Sequence, residues 1–241
     1  VIHHRAPEFA QLFAEVREDL KWLYQTRNDV LILASSGTGG MEGAVANFLS
    51  PGDKALVVNG GKFGERWGKI CKTFGVQVVE IKVEWGHAVD PQAVADALKK
   101  DPSIKAVYVQ ASETSTGVAH NTKRLAEVVK PFEGTILVVD AITALGVFDI
   151  KTDVWGMDVV VAGSQKALML PPGLGFLAVN DRAWQRIDSG KTPTLYNDLK
   201  AYRKSLEKND VPYTPANMLV LGALHNLRKI KERGLESIWK E

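Results

Sequence analysis

The sequence has 241 residues, of which 45% are hydrophobic and 24% are charged; this is typical of a globular protein and excludes a largely disordered one. It contains 30 Lys and Arg against 28 Asp and Glu, so net charge gives no reason to expect a nucleic-acid or membrane partner. The single cysteine, Cys71, excludes an intrachain disulfide, and no apolar run reaches membrane-helix length. We expect a cytoplasmic protein, with an organelle left open because both ends of the sequence could be trimmed.

Short apolar runs alternate with segments of helical periodicity along most of the chain. In chain order, the predicted elements are helix 7–25, strand 30–34, a helix ending at 48, strand 55–58, helix 63–74, strand 76–81, helix 91–99, strand 105–110, helix 122–129, strands 135–139, 158–162 and 175–179, and helices 196–207 and 215–233. The strands are apolar at consecutive positions, which indicates burial on both faces. Their alternation with helices favours right-handed crossovers and a mostly parallel sheet.

These elements predict an α/β fold, in which a mostly parallel seven-stranded sheet is covered by helices on both faces as an α/β/α sandwich. Residues 1–215 are predicted to form one large domain with an incomplete N-terminal segment. Because no strand follows about Ala183, we expect 216–241 to be a helix that leads towards a small C-terminal domain outside this chain.

Ligands of an open parallel sheet bind beyond the C-terminal ends of its strands. The first such position holds the turn Ser36-Gly37-Thr38-Gly39-Gly40, which precedes a helix, where backbone N–H groups and the helix dipole favour an anion. A flexible turn with Thr38 as the helix N-cap explains the same residues. The turn is neither a P-loop nor a dinucleotide fingerprint, because Gly-Lys-Ser/Thr is missing and Glu42 takes the place of the last glycine.

Asp140 ends another strand, and Lys166 follows the next one. Each has an ordinary explanation, Asp140 as a cap or ion-pair partner and Lys166 as a surface residue. Taken with the glycine turn, they fit a phosphorylated aromatic aldehyde with a basic ring nitrogen. The turn would bind the phosphate, Asp140 would keep the nitrogen protonated, and Lys166, held away from solvent, would form the imine. Pyridoxal phosphate meets all three demands.

Several stretches resemble the class V aminotransferases of the fold-type I pyridoxal phosphate enzymes, most closely the alanine–glyoxylate and serine–glyoxylate (or serine–pyruvate) aminotransferases. They are Ser36-Gly37-Thr38-Gly39 with Glu42, the segment 59–66 (NGGKFGER), 113–118 (ETSTGV), Val139-Asp140-Ala141 and 163–167 (GSQKA). Each is weak alone, but together they follow the family's order and spacing from about residue 3 to residue 236. The resemblance implies the large-domain fold of the pyridoxal phosphate-dependent transferases.

The resemblance also implies roles for individual residues. Lys166 matches the lysine that forms the internal aldimine and later moves the proton, and Asp140 matches the aspartate paired with the pyridine nitrogen. The remaining matches are to cofactor-binding positions: Ser36, Gly37 and Thr38 in the phosphate turn, Gln165 beside the phosphate, Phe63 as the stacking ring where Trp is common, Thr114 near the phenolic oxygen, and Thr214, which would reach the phosphate of a neighbouring subunit. A homodimer with a shared active site and no metal follows.

The function that the resemblance implies is transfer of an amino group from a small amino acid to a 2-oxo acid. Alanine, serine and aspartate are open as donors, and glyoxylate and pyruvate as acceptors. Another fold-type I reaction, such as a lyase, and a cofactor-binding fragment without turnover are the alternatives. A nucleotide-binding protein is disfavoured by both failed glycine motifs, and a cysteine desulfurase by the position of Cys71 on a predicted helix.

Overall fold

The computed structural model describes residues 2–188 and 190–241. Its strands are β1 (Val30–Leu33), β2 (Lys54–Asn59), β3 (Gln77–Lys82), β4 (Ile104–Gln110), β5 (Ser112–Glu113), β6 (Val118–Ala119), β7 (Ile136–Asp140), β8 (Val159–Gly163) and β9 (Gly175–Val179). A seven-stranded sheet has the order β1-β9-β8-β7-β4-β2-β3, while β5 and β6 form a separate two-stranded ribbon. Every predicted strand is present, and the predicted α/β architecture is confirmed.

The sheet is parallel from β3 to β8, and β9 runs antiparallel to both β8 and β1. A parallel pair needs a long crossover, whereas an antiparallel pair can be joined by a loop alone. The segment between Gly163 and Gly175 is such a loop, so β9 returns beside β8 without an intervening helix. The mostly parallel sheet is therefore confirmed, with one reversed strand that brings the N-terminal β1 to the sheet edge.

Burial on both faces holds for β1, β7, β8 and β9, all of whose residues are buried. The expectation is wrong for β3, where Gln77 and Lys82 are exposed and the residues between them are at most half-buried. Because β3 is an edge strand with one neighbour, its side chains meet solvent, and Glu80 there accepts a hydrogen bond from Asn59 of β2.

The helices are α1 (Pro7–Tyr24), α2 (Gly37–Phe48), α3 (Lys62–Thr73), α4 (Pro91–Lys100), α5 (Thr122–Val129), α6 (Thr152–Trp155), α7 (Asp181–Asp188), α8 (Leu199–Leu206), α9 (Asn217–Arg233) and α10 (Leu235–Ile238). Helices α6 and α7 and the β5–β6 ribbon were not predicted from the sequence. The predicted start of α8 at residue 196 is too early, because Asp198 caps that helix by accepting from the backbone N–H groups of Lys200 and Ala201.

The long helix α9 packs along α1. Ion pairs of Arg228 with Glu15 and of Lys231 with Asp19 join the two helices. The division into domains at residue 215 stays a prediction. No helix in the described part of the chain combines the length and hydropathy that a membrane span requires.

Candidate active site

A cavity of about 160 Å³ lies where β1, β4, β7 and β8 end. Its lining consists of Thr38, Phe63, Arg66, Ser112, Thr114, Asp140, Ile142, Thr143, Gln165 and Lys166. The last residues of β4 and β7, Gln110 and Asp140, pair in register, which brings the carboxyl ends of these strands to one edge. The structure thus brings together six of the residues predicted from the sequence: Thr38, Phe63, Thr114, Asp140, Gln165 and Lys166.

The glycine turn leads directly into α2. Ser36 is the N-cap residue, and its side chain makes no capping hydrogen bond. The alternative in which Thr38 is the N-cap is therefore wrong, because Thr38 lies inside the first helical turn and lines the cavity. A Cβ atom on Gly37 would lie 2.6 Å from Cδ1 of Ile142, so a larger residue there would force the Ile142 side chain to move. The first turn carries no acidic residue, which leaves its N–H groups and dipole suited to an anion.

Asp140 ends β7 and is only 5% exposed. Its Oδ1 accepts a hydrogen bond of 2.9 Å from the backbone N–H of Ile142. Burial raises the pKa of the carboxyl to about 7, opposed by the Ile142 hydrogen bond and by the positive charges of Arg66 and Lys166. A buried carboxyl at this pKa is poised to ionise when a further cation, such as a protonated ring nitrogen, comes next to it.

Lys166 lies in the loop between β8 and β9. Buried Ser164 fastens this loop, since its hydroxyl donates to Pro171 O at 2.8 Å and accepts from Leu174 N at 3.2 Å. From α9, the amide of Asn226 donates to Leu168 O at 2.7 Å. The expectation of a lysine held away from solvent is wrong for this chain. Lys166 is exposed, and it lies in the turn that follows β8 rather than in the buried strand.

Phe63 is held by Glu113, a residue for which the sequence predicted no role. This carboxylate is fully buried and accepts hydrogen bonds from the backbone N–H groups of Phe63 at 3.2 Å and Gly64 at 3.0 Å. It therefore caps α3 from another part of the chain. A Cβ on Gly61 would lie 2.5 Å from the Glu113 carboxyl carbon, so glycine is required there as well. The only sequence signal was the place of Glu113 beside Thr114.

Arg66 lines the cavity and also had no predicted role. Its Nη1 donates to Thr38 Oγ1 at 3.1 Å, and its Cζ lies 4.8 Å from the centre of the Phe63 ring. The sequence carried a signal for it, because residues three apart on a helix share a face and Arg66 follows Phe63 at that spacing on α3.

The remaining predicted residues lie elsewhere. Ser36 and Gly37 lie at the entry to α2, next to Thr38 but outside the cavity lining. Thr214 is exposed and lines a separate cavity of about 10 Å³ with Tyr213 and Val220. The structure therefore does not bring Thr214 to this site within one chain, and its role towards a neighbouring subunit stays a prediction.

The residues present fit pyridoxal phosphate. A helix N-terminus free of acid, a buried acid, an aromatic ring and a lysine line one cavity. The Oε1 atom of Gln165 is buried there with no hydrogen-bond partner among the described residues, as expected of a group that meets a ligand. No cluster of three His, Cys, Asp or Glu side chains suited to a metal ion occurs within the described ranges.

Comparison with known proteins identifies the family. The aminotransferase class-V family matches residues 1–241. The chain belongs to the class V aminotransferases. The soluble hydrogenase 42 kDa subunit of Anabaena cylindrica is 45% identical over 99% of this chain and 63% of its own length. The L-aspartate–glyoxylate aminotransferase of Paracoccus denitrificans is 32% identical over 99% of this chain and 61% of its own length. The chain thus spans less than two thirds of these curated relatives.

Solved structures agree with this assignment. The alanine–glyoxylate aminotransferase of Nostoc sp. superposes with a TM-score of 0.94 at 29% identity, over 99% of this chain and 64% of that one. The subgroup IV aspartate aminotransferase of Thermus thermophilus superposes with a TM-score of 0.91 at 33% identity, over 100% of this chain and 67% of that one. The predicted family and fold are confirmed, and pyridoxal phosphate is the cofactor that this family implies.

Proposed function

We propose that this chain carries the cofactor-binding part of a pyridoxal phosphate-dependent aminotransferase, which moves an amino group from a small amino acid to a 2-oxo acid. The observation that supports it best is the presence of Lys166 and Asp140 in one small cavity, with the N-terminus of α2 beside them. This arrangement offers an amine, an acid and an anion site to one small ligand.

Each residue has a part in holding the cofactor. The turn Ser36-Gly37-Thr38 and Gln165 would take the phosphate, Phe63 would stack on the ring, and Thr114 would face the phenolic oxygen. Asp140 would pair with the ring nitrogen, and this cation would lower the pKa that burial raises. When bound, pyridoxal phosphate supplies an electron sink for a carbanion at the amino acid's Cα.

The lysine supplies the acid–base chemistry. The free amine of Lys166 would take the proton from Cα of the amino substrate and return it to C4′, the aldehyde carbon of the cofactor, so that the nitrogen would stay with the cofactor when hydrolysis releases the 2-oxo acid. Such acid–base help is worth about 10²–10⁴-fold in rate. The turn that carries Lys166 is anchored through Ser164 and Asn226, which keeps the amine within reach of the cavity.

The names of the relatives support a choice of substrates. Characterised ones are named for alanine, serine or aspartate as donor and for glyoxylate as acceptor. We propose alanine or serine as donor and glyoxylate or pyruvate as acceptor, in a cytoplasmic homodimer to whose second site Thr214 contributes. Residues 1–215 would form the cofactor-binding domain, and 216–241 would lead towards a small C-terminal domain.

Two relatives carry hydrogenase names, but the single thiol of this chain gives that chemistry no support. Cys71 is buried, and burial raises its pKa to about 12. Iron–sulfur clusters are held by several cysteine thiolates, and a cysteine desulfurase needs a reactive thiol. A lyase of the same fold type, or cofactor binding without turnover, remains the alternative to transamination.

The test is covalent capture of the cofactor. The purified protein is incubated with pyridoxal phosphate, reduced with borohydride and digested, and the mass of each lysine peptide is measured. We expect the label on Lys166 and none in Lys166→Ala, whereas Lys130→Ala, at an exposed lysine, should label normally. Label spread over other lysines, or none, would refute the proposal. Assays of alanine, serine and aspartate with glyoxylate or pyruvate then separate transamination from the alternatives.

A further inference from the structure

The cavity holds a cation that the proposed function does not use. Arg66 is half-buried. Among the described residues it makes a single hydrogen bond, in which it donates to the neutral hydroxyl of Thr38. No carboxylate of the described chain lies within ion-pair distance of it. Its neighbour on the helix, Glu65, pairs instead with Lys62. The rest of the guanidinium's donors are therefore open to a ligand in the cavity.

Other partly buried arginines of this chain are committed to protein groups. Arg17 binds Asp29, and Arg182 binds the carboxylate of Asp158. Glu113, the buried acid nearest to α3, already accepts from backbone N–H groups there, so it does not need Arg66. The guanidinium of Arg66 thus keeps donors that no described side chain accepts from, and it forms no ion pair with Glu113 or Asp140.

The position of this guanidinium points to an oxyanion. Its contact with Thr38 sets it beside the first turn of α2, where backbone N–H groups and the helix dipole attract negative charge. The Phe63 ring supports one face of the guanidinium plane. A planar fork held in this way suits the paired oxygens of a phosphate or a carboxylate, which guanidinium groups bind through two parallel hydrogen bonds.

We infer that Arg66 is an oxyanion receptor of this cavity, which binds either the phosphate of the cofactor or the distal carboxylate of a dicarboxylic amino substrate. This inference rests on the proposed function. The phosphate and the carboxylate are both oxyanions, but binding one or the other would give Arg66 a different role. In the first case Arg66 sets cofactor affinity, and in the second it selects donors such as aspartate over alanine and serine.

The experiment compares Arg66→Gln and Arg66→Lys with wild type. A matched control is Arg203→Gln, because Arg203 also stacks on an aromatic ring, that of Trp184, but lies on α8 outside the cavity. Cofactor-free protein is titrated with pyridoxal phosphate and with pyridoxal, which lacks the phosphate. Cofactor-loaded protein is titrated with succinate and with propionate, and binding is followed by the cofactor's absorbance.

A charge-assisted bidentate contact predicts at least about a tenfold rise in Kd when it is lost. If Arg66 binds the phosphate, Arg66→Gln weakens pyridoxal phosphate and leaves pyridoxal unchanged. If it binds a substrate carboxylate, the variant weakens succinate and leaves propionate unchanged. Arg66→Lys should fall between, since it keeps the charge and loses the fork. Arg203→Gln should change none of these constants.

The inference is overturned if all four constants of Arg66→Gln stay within twofold of wild type while its melting temperature is unchanged. Arg66 would then only tie α3 to α2. If Arg66→Gln does not fold, Arg66→Lys decides by the same constants. Borohydride labelling of Lys166 in the same samples keeps the two proposals apart, because normal labelling with unchanged constants refutes this inference and leaves the proposed function standing.

Discussion

Two buried acids at the cavity, Glu113 and Asp140, differ in how many hydrogen bonds their carboxyl groups accept. Glu113 accepts from the backbone N–H groups of Phe63 and Gly64 and from the hydroxyl of Ser115. Asp140 accepts from one backbone N–H, that of Ile142, and burial raises its pKa to about 7. A buried carboxylate with its partners in place holds structure, whereas one that lacks them is available for a ligand.

The largest expected effect concerns Asp140, the acid that accepts only one hydrogen bond from the described residues. In the cofactor-free protein, Asp140 has a pKa of about 7 when folded and of about 3.9 when unfolded. Folding therefore takes up a proton between these values, so stability falls as pH rises from about 4 to about 7 and is level above. Asp140→Asn removes this loss.

We expect Asp140→Asn to exceed wild type by at most about 4 kcal/mol in free energy of unfolding at pH 8 and to match it near pH 4. Urea denaturation across this pH range measures the difference, with Asp149→Asn as a more exposed control. A difference between the two proteins that does not vary with pH would show that Asp140 is as well satisfied as Glu113.

The second prediction concerns Glu113, the acid whose hydrogen-bond partners are in place. Glu113→Ala leaves the first N–H groups of α3 without their acceptor and opens space below Phe63, so we expect a loss of about 3 kcal/mol in the free energy of unfolding. Glu127→Ala removes an acid that lies in a surface pair with Arg124 and should cost less than about 1 kcal/mol. Equal losses in both variants would contradict the role given to Glu113.

These two acids also show what sequence can and cannot predict. The strands were predictable because consecutive apolar residues mark a sheet covered on both faces, and Asp140 stood out at the end of one. Glu113 and Arg66 did not, because their partners Phe63 and Thr38 are distant in sequence and meet them only in the folded chain. The exposure of Lys166 was missed because residue type says nothing about how far a turn extends from the sheet.

Helix α7 was missed for a related reason. It buries only Ala183, Trp184 and Ile187, a short apolar pattern among charged residues. The N-cap Asp198 was an available signal for the start of α8 that the periodicity alone did not use.

A smaller effect concerns the loop that carries the amine. Ser164→Ala removes the hydroxyl that joins Pro171 and Leu174, and we expect a loss of about 1–2 kcal/mol in stability. Borohydride labelling should also become less selective for Lys166. Ser205→Ala, which loses a hydroxyl bonded within one helix, should change stability by less than about 0.5 kcal/mol. Unchanged labelling and stability in Ser164→Ala would show that the loop does not depend on this anchor.

The smallest expected effect concerns the size of the ring at position 63. Phe63→Trp enlarges the stacking surface on the well-anchored side of the cavity and should lower the Kd for pyridoxal phosphate by about two- to fivefold. Phe148→Trp, at a ring that is 41% exposed, should leave this Kd unchanged. A weaker Kd in Phe63→Trp would mean that the pocket is already filled by the smaller ring.

The pairing of β1 with β9 has a consequence for biogenesis. The glycine turn follows β1, whereas Lys166 lies in the loop between β8 and β9, and β1 reaches this part of the sheet by pairing with β9. Contacts of such long sequence separation form slowly. On the ribosome, the nascent polypeptide must therefore be synthesised beyond β9 before an anion site and an amine site can coexist, so ligand capture waits for the last strand of this sheet.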